Sequence, residues 1–309
     1  MKVAEDIGIK VKWMMEESPL LSEHNYAVES TFRDMCEKNE LEREIVLKNT
    51  SGSIAVVFSC TLKDGSAKGT LSNDQYSTKI ERRLLVNNRL CKLPQRNWRI
   101  QFQSVITYPI DKNLPVYNEI ASEFRKLKVK EFEVTVIQNL PLYTNYYYEC
   151  LAIDAKGTNR NERLLYHGSK VNPEILWRFG FNVKYSSDKN LWGQGIYFAN
   201  NVDYAHKYAF RDEHGYYYLI LCQVALGESF FYGNLCNPGL KYPPRRCDIE
   251  LKPDDAVMNY DSVQGRTNDG TVQVIYNVDQ IYPAYVVKYK SDEVNYLEGV
   301  DVDNVPIFH

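Results

Sequence analysis

The chain has 309 residues, 44% hydrophobic and 25% charged, with a formal net charge of -3. These proportions are those of a folded globular protein and exclude a disordered or fibrous chain, and the length suits two or three domains. The near-balanced charge gives no global attraction to nucleic acid or to an anionic membrane surface.

Seven cysteines, Cys36, Cys60, Cys91, Cys150, Cys222, Cys236 and Cys247, are scattered without a C-x-x-C pair. That spacing argues against a zinc or redox site and fits a reducing compartment. The longest apolar or aromatic run, Tyr216 to Cys222, is far short of the roughly 20 residues of a membrane-spanning helix. Met1 opens no charged-then-apolar leader. We therefore expect an intracellular protein, cytoplasmic or nuclear, with no membrane partner.

In chain order, the first part reads as two loose copies of one plan. Helix candidates Tyr26 to Phe32 ("YAVESTF") and Tyr76 to Leu85 ("YSTKIERRLL") each place a tyrosine before an aliphatic-Glu pair. Alternating strand-like runs follow them, ending "IAVVF" (Ile54 to Phe58) and "WRIQF" (Trp98 to Phe102). A short helix backed by strands resembles the WWE domains, which bind ADP-ribose units within poly(ADP-ribose). The second copy carries Tyr76, Ile80, Glu81, Trp98 and Phe102 in that family's order, and Trp13 and Phe58 stand where it has tryptophans. The resemblance implies one module over residues 1–57, another over 58–110, and ADP-ribose or poly(ADP-ribose) as ligand. Tyr76 and Trp98 also read as core aromatics, and "KIERR" as a solvated helix face.

The stretch "TYPIDKNLP", Thr107 to Pro115, sets two prolines between a strand-like and a helix-like segment. Proline restricts its own φ and its predecessor, which predicts a boundary near Asp111. Beyond it, helices are predicted at Val116 to Leu127, Pro173 to Phe179 and Asp203 to Phe210. Strands are predicted at Phe132 to Gln138, Leu164 to His167, Gly195 to Ala199, Tyr217 to Leu226, Thr271 to Ile275 and Tyr285 to Tyr289. The tyrosine runs at Tyr146 to Tyr148 and Tyr216 to Tyr218 also suit strands and core packing. The pattern is α+β without a βαβ rhythm. No P-loop occurs, and "GQG" (Gly193 to Gly195) leads into a strand, so a Rossmann site is not indicated.

"NERLLYHGSK", "ILWRFGFN", "LWGQGIYFANNVDYAHKYA", "YYLILCQVALGE" and "VQVIYNVDQIYPAYVVKY" follow one another between Asn161 and Tyr289. Together they resemble the catalytic domain of the poly(ADP-ribose) polymerase family of ADP-ribosyltransferases, over about residues 113–290, with 291–309 as a tail. The resemblance implies two packed antiparallel sheets with flanking helices and a cleft for NAD, consumed as substrate without a metal. It also implies a His-Tyr-Glu signature on three strands. The histidine falls on His167, the tyrosine on Tyr197, and the third position, four residues before Tyr276, on Val272.

Loss of nicotinamide from NAD breaks a glycosidic bond to a pyridinium that leaves neutral, so no general acid is needed. The resemblance gives His167 a ribose hydroxyl to bind and the Gly168 backbone the nicotinamide carboxamide, which a Cβ would obstruct. Ser169 offers a hydroxyl to either group. Tyr197 and Tyr208 would sandwich the nicotinamide ring. Asn182 and Tyr185, at the loop Val183 to Leu191, would touch adenosine. Valine at 272 cannot do what the family's glutamate does in chain elongation, which implies the mono-ADP-ribosylating branch. An Asp or Glu of a protein acceptor, already ionised at neutral pH, would take the single unit. Ala205 replaces a family serine that bonds the carboxamide, at a cost of roughly 0.5–1.5 kcal/mol.

The alternative is a catalytically weak or inactive relative that binds ADP-ribose, poly(ADP-ribose) or RNA. His206 and His214 are expected at the surface. Arg245 and Arg246, in "PPRR", read either as a solvated loop or as a contact for an acidic partner.

Overall fold

The structure, a computed structural model, describes residues 9–15, 18–19, 22–38, 42–49, 52–60, 67–72, 77–86, 89–91, 105–246 and 259–291. Tyr76, Trp98, Phe102 and the tail from 292 onward lie outside the described residues. The chain forms two compact units, Met1–Ile106 and Thr107–His309. No helix among the described residues is long and apolar enough to cross a membrane.

The first unit contains β1 (Ile9–Met15), β2 (Ser18–Pro19), α1 (Ser22–Lys38), β3 (Glu42–Asn49), β4 (Gly52–Cys60), β5 (Ala67–Ser72), β6 (Ser77–Val86) and β7 (Arg89–Cys91). The strands hydrogen-bond in the order β2-β1-β6-β5-β4-β3, with β7 on β6. Helix α1 spaces Val28, Phe32 and Met35 along one face, and all three are fully buried. Leu47 of β3 and Ile80 of β6 are buried as well.

Two expectations change here. The boundary expected between residues 57 and 58 falls inside β4, and β1 pairs with β6 from Ile9↔Val86 to Met15↔Ile80. Strands β1 to β4, from residues 1–57 and the boundary itself, and strands β5 to β7, from 58–110, therefore share one sheet. The helix expected from Tyr76 is strand β6 from Ser77 onward. Its apolar Ile80, Leu84 and Leu85 satisfy a helical spacing, but pairing with β1 on one side and β5 on the other overrides that local preference.

The second unit opens with β8 (Val105–Pro109), α2 (Pro115–Phe124) and β9 (Glu131–Asn139), followed by α3 (Leu140–Ala155), β10 (Glu162–His167) and α4 (Pro173–Phe179). Next come β11 (Ile196–Ala199), α5 (Val202–His206), β12 (Phe210–Arg211), β13 (Tyr217–Ala225), β14 (Ser229–Gly233), β15 (Ser262–Thr267), β16 (Gly270–Ile275) and β17 (Ile281–Lys290). This is an α+β fold. The strand order is β14-β15-β16-β11-β10-β13-β17-β9-β8, with β12 on β13.

That order is one hydrogen-bonded path, yet it divides in two. β10 and β13 pair over six residues, from Glu162↔Ala225 to His167↔Ile220, whereas β10 and β11 meet only at Tyr166↔Ala199. The four strands β14, β15, β16 and β11 are thus joined to the other strands through a single residue pair. Strand β13 lies on the well-paired side and is buried along most of its length, which accounts for its unbroken apolar sequence.

Local signals fix the elements nearest that junction. Helix α4 starts where Asn172 Oδ1 accepts a hydrogen bond from Glu174 N at 2.9 Å, with Pro173 in the first turn. It stops at Gly180, whose φ of 86° lies outside the range favoured by side-chain-bearing residues. Asn139 caps α3 through Leu142 N and donates to the carbonyls of Trp177 and Arg178, tying α3 to the end of α4. The tyrosine run at Tyr146 to Tyr148, expected as strand, lies within α3.

Among the described residues, Cys150, Cys222 and Cys236 are free, the first two buried and the third exposed. Burial pushes the Cys150 thiol up to about 11 and the Cys222 thiol well above its usual range. Thiolate is the reactive form, so in the native protein Cys236 should alkylate well before either. Peptide mass spectrometry after a short maleimide pulse checks this; early labelling of Cys150 would contradict the packing of α3.

Candidate active site

His167 is the last residue of β10 and is 1% exposed. Its Nδ1 lies 2.9 Å from the carbonyl oxygen of Tyr197 on β11. A carbonyl only accepts, so Nδ1 carries the proton and, in the neutral ring, Nε2 keeps its lone pair. The imidazole packs edge-on against Phe181 at 5.0 Å and tilted against Phe198 at 5.4 Å. Phe181 reaches it because α4 ends at Gly180. The histidine therefore clasps the two halves of the sheet beside their single backbone pair.

Gly168 follows. A Cβ there would lie 2.4 Å from the Ala205 carbonyl oxygen and 2.9 Å from the Tyr208 carbonyl carbon. Sequence reasoning reserved that space for an approaching nicotinamide, whereas the protein's own backbone at the end of α5 fills it. The glycine is needed so that this turn can close on β10. Ser169 is buried, and its Oγ accepts from Val171 N at 3.1 Å.

Tyr197 is 3% exposed, and its hydroxyl accepts from Trp192 N at 2.9 Å and donates to Gly193 O at 3.0 Å. Burial holds this phenol above its usual range against the lowering effect of the Trp192 bond, and burial also raises Tyr208. Both rings are neutral at working pH and serve as walls rather than bases. Val272 on β16 is fully buried and pairs with Ala199 and Gly265. Since Tyr197 pairs with Val274, Tyr197, Ala199, Val272 and Val274 share one face.

Gly168, Tyr197, Tyr208 and Val272 meet at a cleft where the sheet divides, whereas His167 and Ser169 are not among its lining residues. Gly168, Tyr197, Ala199, Ala205, Tyr208 and Val272 line it, together with Tyr166, Phe198 and Tyr204. Its volume is about 10 Å³, room for roughly one water. A larger hollow of about 540 Å³ at Tyr117, Phe132, Tyr216 and Lys288 contains none of the candidate site residues. There Glu131 pairs with Lys290 and Tyr216.

Residues 116–291 match the family described as poly(ADP-ribose) polymerase catalytic domain. The chain belongs to this family. It is 27% identical over 212 residues to a probable poly [ADP-ribose] polymerase of Dictyostelium discoideum, covering 63% of this chain and 57% of that protein. It is 26% identical over 159 residues to the protein mono-ADP-ribosyltransferase PARP12 of Mus musculus, covering 50% of this chain and 21% of that protein. The PARP12 of Homo sapiens matches at 27% over 159 residues, with the same coverage of 50% and 21%. The chain thus spans just over half of the first of these relatives and about a fifth of the others.

Within this polymerase-family domain, the structure brings His167, Gly168, Tyr197, Tyr208 and Val272 together around the junction. Asn182 and Tyr185 are placed otherwise. Asn182 Oδ1 accepts from Lys184 N at 3.0 Å, capping a 3₁₀ turn over Val183–Tyr185, and Tyr185 is 71% exposed. Neither lines the cleft. Arg246 forms an ion pair with Glu228 at 2.7 Å, and Arg245 forms a backbone bridge with Asn259. His214 is exposed, while His206 is buried at 3%, contrary to expectation.

Sequence reasoning missed Tyr166, Tyr204 and Trp192. Tyr204 was detectable as the residue one helical turn before Tyr208, and their rings meet edge-on at 5.6 Å. Trp192 packs beside Tyr197 at 6.4 Å, and its carbonyl accepts from Tyr276 Oη at 2.5 Å. Its indole fills the space a Cβ on Gly265 would occupy. Nothing local in the sequence links residues so far apart. Among the described residues no cluster of His, Cys, Asp or Glu could hold a metal ion.

Proposed function

We propose that this domain transfers one ADP-ribose unit from NAD to a protein side chain and releases nicotinamide, a pentosyl transfer characteristic of a glycosyltransferase. The observation that carries the reading is Val272, fully buried in the cleft wall at the family's third triad position. None of the cleft-lining residues is a carboxylate, and the tyrosines with raised pKa values are neutral. The site therefore has no evident base to activate the hydroxyl of a growing ADP-ribose chain. An acceptor that arrives ionised, such as Asp or Glu, needs none.

The bond between C1′ of the donor ribose and the pyridinium nitrogen breaks, its electron pair leaves with neutral nicotinamide, and an acceptor carboxylate oxygen bonds to C1′. His167 Nε2 would accept from a ribose hydroxyl, with Nδ1 held by Tyr197. Gly168 would offer its backbone to the carboxamide, and Tyr197 and Tyr208 would flank the ring, each contact contributing about 1 kcal/mol. The fit requires the narrow cleft to widen. Labelled NAD should yield single ADP-ribose adducts on protein, seen as one sharp mass increment per modified site; ladders of polymer would reject the assignment.

A second reading, binding of NAD or ADP-ribose without turnover, is favoured by the 10 Å³ cleft and by Ala205. The upstream unit is proposed to bind ADP-ribose or poly(ADP-ribose), with RNA as the alternative. The free cysteines suit work in the cytoplasm or nucleus.

A further inference from the structure

His206 is buried at the end of α5, with Nδ1 2.7 Å from the hydroxyl of Tyr289 on β17. Its ring meets Tyr217 of β13 at 4.7 Å and Tyr289 at 5.7 Å. In sequence it lies between two cleft residues, Ala205 and Tyr208. Tyr208 N donates to Ala205 O at 3.0 Å and Ala209 N to His206 O at 3.1 Å, so these residues form one tight turn. That turn abuts Gly168. The imidazole is thus a tether from one wall of the cleft to the sheet behind it.

The other wall leads to the same place. Tyr166, which lines the cleft, meets Phe124 at 6.2 Å, and Phe124 meets Tyr289 at 5.0 Å. Tyr289 is thus linked by contacts to the Tyr208 turn through His206 and to Tyr166 through Phe124.

Resting on the reading that the cleft takes the pyridinium end of NAD, we propose that His206 and Tyr289 are positioning residues. Their hydrogen bond sets where Tyr208 stands over Gly168 and thereby the affinity for the nicotinamide ring. Neither residue touches the reacting C1′, so the pair governs binding and leaves the chemical step alone. In kinetic terms it acts on KM rather than kcat, which is the signature of lost uniform binding.

The test uses Tyr289→Phe, which removes one hydroxyl and keeps the ring, His206→Phe, and the double variant, all in the full chain. Each single variant should raise KM for NAD about fivefold, as expected for one buried hydrogen bond, with kcat unchanged. The double variant should cost less than the sum of the two singles, because each single already removes the hydrogen bond they share. Amide hydrogen exchange at Tyr208 and Ala209 should accelerate in both single variants below their melting temperatures. A structural role alone would lower Tm without moving KM in the folded protein. Unchanged KM and unchanged exchange in the folded singles, or a double variant that costs the sum of the two, would overturn the proposal. If the wild type turns over no NAD, the enzymatic reading fails, and the exchange measurement still decides whether the tether holds the turn.

Discussion

His167→Ala should lower nicotinamide release from NAD by roughly 100-fold, the scale expected when a reacting group is misplaced by about 1 Å. Two losses combine. The substitution removes the Nε2 acceptor proposed for the donor ribose, and it deletes the Nδ1 to Tyr197 bond that joins the two halves of the sheet. The cavity left between Phe181 and Phe198 also costs stability, so release is measured at a temperature where circular dichroism shows the variant folded. A fall in rate with folding retained supports the assignment. Equal background release from wild type and variant would favour a binding protein, and near-wild-type release from the variant would remove His167 from the reaction.

Gly265→Ala should destabilise the second unit by about 3 kcal/mol, the upper part of the range for overpacking, and lower Tm by roughly 6–12 °C. A Cβ at Gly265 would lie 2.0 Å from the Trp192 indole. That indole is buried and held by its Nε1 bond to Leu235 O at 2.8 Å. The Trp192 backbone also holds Tyr197 and Tyr276 through their hydroxyls. Displacing the indole therefore disturbs the tyrosine wall of the cleft, and affinity for a nicotinamide-like ligand should fall with stability. Gly239→Ala is the control, because its Cβ would meet nothing closer than Asn237 Oδ1 at 3.8 Å. Matching melting curves for the two variants would refute the proposed packing of Trp192.

Where elements carry their own punctuation, the sequence was sufficient. Asn172, Pro173 and Gly180 delimit α4 at both ends, and the predicted strand ending at His167 lies inside β10. The order of the motif blocks singled out His167, Tyr197 and Val272, which lie on the three strands β10, β11 and β16. Misreadings arose where local preference and tertiary packing diverge. Tyr146, Cys150 and Ile153 recur at helical spacing and are buried in α3, but the β-prone tyrosines beside them suggested a strand. The cap at Asn139 and the proline after it were the signals that could have decided. Strand β14 (SFFYG) carries a run of three aromatics and β15 (SVQGRT) is mostly small or polar, so neither shows clear alternation. The burial of His206 depends on Tyr217 and Tyr289, and the role of Gly265 on Trp192. Such long-range contacts leave no mark on a single chain read from end to end.

The junction at Tyr166↔Ala199 means that little backbone hydrogen bonding closes the 10 Å³ cleft. Prising an ordinary antiparallel ladder apart breaks a row of hydrogen bonds. Here the halves share one backbone pair, so what holds them together is mainly the His167 bond to Tyr197 and a common apolar core in which Phe198 and Ile275 pack with Leu165 and Ile220.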